Sequence, residues 1–104
     1  MGKEHKKIKS IYKDYEDLEL NTLEPHEPWG ASNRTISIKL GMFMYITRDY
    51  HAWLHNTAEG KLNNLELQKE MKELCMEYYC MPESDFNEIF IRGNRRLRDI
   101  YIRR

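Results

Sequence analysis

The segment RDYHAWLHNT, residues 48–57, sets His51 and His55 four positions apart. On a helix such a pair shares one face, with Cβ atoms about 5–6 Å apart, so both rings can reach one ion. Asp49 can cap that helix, and Tyr50, Trp53 and Leu54 give it an apolar side. Spacing alone leaves a second reading open, with one histidine in the core and one in water.

A metal site needs a third ligand. His26 lies 25 residues upstream in NTLEPHEPWGASNRT (21–35), where Pro25, Pro28 and Gly30 favour a loop or a broken hairpin. The following ISIKLGMFMYIT (36–47) alternates weakly and reads as one or two short strands with a bend at Gly41. A loop ligand, a hairpin and a helix giving two more ligands make a ββα metal unit. Three protein ligands with one open position suit hydrolysis better than a purely structural role.

Outside that unit, HKKIKSIYKDYEDL (5–18) places Ile8, Ile11, Tyr12 and Tyr15 at helical spacing. The strongest pattern is NNLELQKEMKELCMEYYC (63–80), which predicts a long helix with Leu67, Met71, Leu74, Cys75 and Tyr78 on one face and mostly charged residues on the other. A shorter helix, DFNEIFI, is expected behind a cap at Ser84 and ends near Gly93. The fold class is therefore α+β, a small ββα core with additional helices.

At 104 residues the chain is expected to form one domain, 1–104. No stretch approaches the roughly 20 apolar residues of a membrane span, and MGKEHKKIKS lacks the apolar core of a signal peptide. A soluble intracellular protein is expected, with no membrane partner. Cys75 and Cys80 stand alone and read as two buried thiols, since no second pair completes a disulfide framework or a zinc ribbon.

The net charge of zero conceals an uneven distribution. Residues 1–13 carry +4 and residues 92–104 carry +5, which leaves −9 on the body between them. Basic ends suit contact with a polyanion, and the candidate residues are Lys6, Lys7, Lys9, Arg92, Arg95, Arg96 and Arg98. Charged tails that are merely solvated are the alternative.

The segments LEPHEPWGASNRTISIKLG, RDYH, GKLNNLELQKEMKE and FNEIFIRGNRRL, in that order and spacing, resemble the small phage-encoded HNH nuclease family over most of the chain. The resemblance implies a ββα-metal core that acts on DNA through one divalent ion, in the cytoplasm of the host cell. It matches His26 to the first metal ligand and His51 to the last histidine of the family's turn. Several positions depart from the pattern. Glu27 stands where the family has its general base, Leu62 stands at a ligand position, and the cysteines of a structural zinc are absent, with Thr47 at one of them.

Two ways of accommodating those departures follow. His55 can replace the ligand lost at Leu62, giving His26, His51 and His55, an arrangement similar to the colicin-type HNH nucleases, with Glu27 as base or oxygen ligand and Zn, Ni or Mg as the ion. The aromatics Trp29, Phe43, Tyr45, Tyr50 and Trp53 can supply packing in place of the structural zinc. The expected function is a weak metal-dependent endonuclease or a DNA-binding scaffold. The alternative is an inactive phage inhibitor, without metal, that presents Glu66, Glu70, Glu73 and Glu77 to a host defence or DNA-processing protein. Oligomeric state is not legible.

Overall fold

The computed structural model describes His5 and residues 8–103. The chain runs through α1 (Asp17–Thr22), β1 (Glu24–His26), a 3₁₀ turn (Ala31–Asn33), α2 (Arg34–Lys39), β2 (Met44–Ile46), α3 (Arg48–Asn56), α4 (Ala58–Tyr78), α5 (Glu83–Phe90) and α6 (Arg95–Ile102). β1 and β2 form an antiparallel pair in the register Glu24↔Ile46, Pro25↔Tyr45 and His26↔Met44. The class is α+β, as expected.

The strand pair differs from the hairpin expected within 35–47. Its first strand comes from the proline-rich segment, and residues 34–39 are helical. Ile36, Ser37 and Ile38 are all buried, so the alternation that suggests a strand is here a short helix enclosed on several sides. Ser37 Oγ donates to the Trp29 carbonyl at 3.0 Å, which fixes that helix to the loop after β1. The bend at Gly41 is present, with φ 75°. A Cβ there would lie 2.4 Å from the Lys9 carbonyl oxygen, so glycine is required both by conformation and by space.

The helix expected over 5–18 is replaced across residues 9–16 by irregular chain laid along 41–45, and helix begins only at Asp17. Backbone pairing outweighs the side-chain periodicity. Ile11 N–H donates to the Gly41 carbonyl at 2.8 Å, Ser10 Oγ to the Phe43 carbonyl at 2.5 Å, and Tyr45 N–H to the Tyr15 hydroxyl at 3.0 Å. These bonds hold the N-terminal segment without any cysteine.

Thr47 rather than Asp49 caps α3, because its side chain accepts from Tyr50 N–H. Thr57 then serves two helices: its hydroxyl donates to the Trp53 carbonyl at 2.8 Å and accepts from Gly60 N–H at 2.8 Å. That double cap starts the long helix at Ala58, five residues before the apolar pattern does. Gly60 is buried in the crossing, where a Cβ would meet the Trp53 carbonyl oxygen at 1.9 Å.

The main core gathers Leu40, Met42, Met44, Met71, Cys75, Phe86, Ile89 and Tyr101, with smaller contributions around them. Tyr79, not Tyr78, joins α4 to it, since the Tyr79 hydroxyl donates to the Leu40 carbonyl at 2.6 Å while Tyr78 is exposed. Phe43 and Tyr45 are buried as expected, whereas Trp53 lies at the surface, stacked on Tyr50. Cys75 is buried and burial pushes its thiol up to about 12; Cys80 is exposed, contrary to the reading of two buried thiols.

α5 starts at Glu83, one residue before the expected cap, because the Pro82 carbonyl accepts from Asp85 and Phe86 N–H. α6 was not anticipated. Asn94 caps it by accepting from Leu97 N–H at 3.0 Å, and it turns Tyr101 and Arg98 inward. No helix among the described residues is long and apolar enough to cross a membrane.

Candidate metal centre

His26 is the last residue of β1, and pairing with Met44 carries its ring to where α3 passes. α3 is held against β1 by its start at Thr47, immediately after β2. One ring nitrogen from each of His26, His51 and His55 lies within 4.8 Å of the other two. Ring centroids are 5.1 Å apart for His26 and His51, 5.5 Å for His26 and His55, and 4.8 Å for His51 and His55. The two helical histidines therefore face the same way, toward the strand histidine.

This set fits a metal ion on donor chemistry and space. Zn–N bonds of about 2.0–2.1 Å in a tetrahedron put nitrogens roughly 3.3–3.4 Å apart. The triad is somewhat wider, and closing it needs only side-chain rotation, for which exposed His55 has room.

The surroundings of His26 favour its neutral imidazole, the ligating form. Burial lowers the pKa of His26 and the neighbouring His51 and His55 push it the same way, while the bond to Asn64 opposes them. His26 Nε2 lies 2.8 Å from Asn64 Oδ1, so in the neutral ring Nε2 donates and Nδ1 keeps the lone pair. His51 Nδ1 lies 3.1 Å from a carboxylate oxygen of Glu24, which leaves Nε2 as its ligating nitrogen. An amide behind His26 and a carboxylate behind His51 resemble the outer shell that orients metal-bound histidines. Neither Glu24 nor Asn64 was singled out by sequence reasoning. The available signals were Glu24 two residues before His26 and the Asn63–Asn64 pair just beyond Leu62.

Asn64 is itself positioned from behind. Its Nδ2 and the Gln68 side chain both face the Pro28 carbonyl, at 3.4 and 2.9 Å, and Trp29 Nε1 donates to the Gln68 carbonyl at 2.8 Å. Trp29 packs on Phe86 and Phe90, which ties this loop to the core. Leu62 is 65% exposed, so its helical position supplies no ligand and Asn64 is the α4 residue that reaches the triad.

Glu27 borders the same cleft, of about 400 Å³, with His26, His55 and Asn64. Its carboxylate is mostly covered, 3.2 Å from Arg34 Nε and 3.5 Å from His5 Nε2. Burial alone would raise its pKa, but the bond and charge of His5, helped by Arg34, outweigh burial and lower it. It is an anchored carboxylate, and its lowered pKa makes it a weaker base than an ordinary glutamate.

Of the candidate cations, Lys6 and Lys7 lie outside the described residues, and Lys9 is exposed and paired with Asp14 at 3.0 Å. Arg92, Arg95 and Arg98 line one cleft, and Arg96, one step round α6, does not line it. Arg98 is not a solvated tail residue: it is 7% exposed, with Nε and Nη2 donating to Asp99 Oδ1 at 3.0 and 2.7 Å. No protein-family model, curated protein or solved structure matches the chain.

Proposed function

We propose that the chain is an HNH-nuclease-like, DNA-binding phage protein that takes up one divalent transition-metal ion on His26, His51 and His55, with hydrolysis curtailed by Glu27. The observation that carries this reading is the convergence of the three ring nitrogens within 4.8 Å from a strand end and one helix face. The antiparallel pairing of β1 with β2, which a 3₁₀ turn and α2 separate in sequence, and the helix directly after β2 support the core that the resemblance implies. Three imidazoles suit Zn²⁺ or Ni²⁺ better than Mg²⁺, which prefers oxygen.

A bound ion supplies polarisation of a phosphate oxygen and a water of lowered pKa. The chain supplies the rest. Asn64 and Glu24 orient two of the ligands, and the cleft beside His55 gives a phosphate access. By the resemblance Glu27 holds the general-base position, but His5 and Arg34 stabilise its anion, so it would accept a proton from water poorly at neutral pH.

Plasmid nicking tests this reading. With Zn²⁺, Ni²⁺, Mn²⁺ or Mg²⁺ the protein should bind plasmid and nick it slowly, and Glu27→His should raise the rate toward the roughly 10²–10⁴-fold contribution of a positioned base. Fast nicking by the unaltered chain, or nicking that survives chelation, would overturn it. The second reading, an inhibitor that docks through α4, draws on the exposure of Glu66, Glu70, Glu73 and Glu77, and it requires neither metal uptake nor DNA binding.

A further inference from the structure

The clefts around the metal centre are connected by shared residues. The cleft bordered by His26, Glu27 and His55 includes Ser32 and Asn33. Ser32 and Asn33 also line the next cleft, of about 340 Å³, together with Thr35, Arg92, Arg95 and Arg98. Arg98 in turn lines a third, with Lys39, Lys9, Arg103 and the acidic Asp99. Hydroxyls and an amide thus lead from the histidines to a row of cations.

Within this row Arg92 and Arg95 are open to an external anion, whereas Lys9 is paired with Asp14 and Arg98 with Asp99. Arg92, in the turn after α5, and Arg95, the first residue of α6, line one cleft, where a Coulombic cost is incurred unless negative charge sits between them. Arg92 has only a loose contact with Glu88, at 3.7 Å, and Arg95 makes no ion pair among the described residues. Arg95 also opens α6 at the positive end of its dipole, where a basic residue is disfavoured without an anion. Arg98 lines the same cleft and is 7% exposed, its guanidinium held by Asp99.

We infer that Ser32, Asn33, Arg92, Arg95 and Arg98 form a phosphodiester track that leads a nucleic-acid backbone from the histidine cleft along α6. Guanidinium groups take phosphate oxygens in pairs, and serine and asparagine are common phosphate donors. The nucleic-acid identity of the polyanion rests on the proposed function, but the track itself does not depend on a metal.

The test compares Arg95→Glu with Arg96→Glu by fluorescence anisotropy on a labelled DNA duplex, in EDTA, over a range of salt. Both substitutions change the charge equally and sit next to each other, so net charge cannot separate them. Arg95→Glu should weaken binding by roughly tenfold or more and reduce the salt slope by about one, while Arg96→Glu should stay close to the unaltered protein. Equal losses in both variants, or no binding by the unaltered chain, would overturn the track. Metal uptake measured separately on the same proteins keeps the two readings apart: loss of metal uptake with an intact Arg95 effect sinks only the metal site.

Discussion

Nε2 of His26 and Oδ1 of Asn64 stand 2.8 Å apart across 38 positions of sequence, so the ring at the end of β1 is oriented by a side chain from α4. Asn64 therefore bears on the candidate metal site through His26, outside the converging set of ring nitrogens.

Removing that support should weaken metal binding without removing a ligand. Asn64→Ala is expected to lower affinity for Zn²⁺ by about 10–100-fold, the usual effect of losing an outer-shell partner. Competition against a chromophoric chelator would measure it. Unchanged affinity in a folded variant would show that Asn64 only packs against the ring.

Gly60 sets how α3 lies on α4, and it should tolerate no side chain. Gly60→Ala places a methyl 1.9 Å from the Trp53 carbonyl oxygen, so the helices must part. Urea unfolding should show a loss of roughly 1–3 kcal/mol or more. An alanine variant as stable as the original would contradict the close crossing.

Stability should depend on Glu27 in acid. Its pKa is lowered in the folded chain, so its contribution is fully present above the unfolded carboxylate value near about 4.3 and is lost as pH falls through the lower folded value. Glu27→Gln should be less stable than the original at neutral pH and should show a shallower loss below about pH 4.3. Parallel acid limbs for the two proteins would mean that the contacts with His5 and Arg34 are not energetically coupled to its ionisation.

What could be read in the sequence follows from how local the determining forces are. The long helix was legible because Leu67, Met71 and Cys75 recur on one face, and the helix of His51 and His55 because both rings share its spacing. The convergence on His26 was legible as well, from spacing and resemblance together. The helix at 34–39 was not, since burial on several sides erases the difference between its Ile-Ser-Ile pattern and a strand. Nor was the irregular run over 9–16, where contacts with residues more than 25 positions away decide the conformation. Asn64 and Glu24 escaped for the same reason: polar residues on exposed-looking stretches gain a role only when the chain brings them behind a histidine. Arg98 reads as part of a basic tail when charge alone is weighed, although Asn94 as a cap and the spacing of Leu97 and Tyr101 signal the helix that buries it.

In the proposed function His26, His51 and His55 bind one ion together. Titration with Co²⁺, followed by its visible absorption and compared with His26→Ala, His51→Ala and His55→Ala, tests it most directly. One equivalent should be taken up by the unaltered chain, with a large loss in each variant, because a site of three ligands cannot keep its affinity with two. No uptake by the unaltered chain, or uptake that survives all three substitutions, would contradict it.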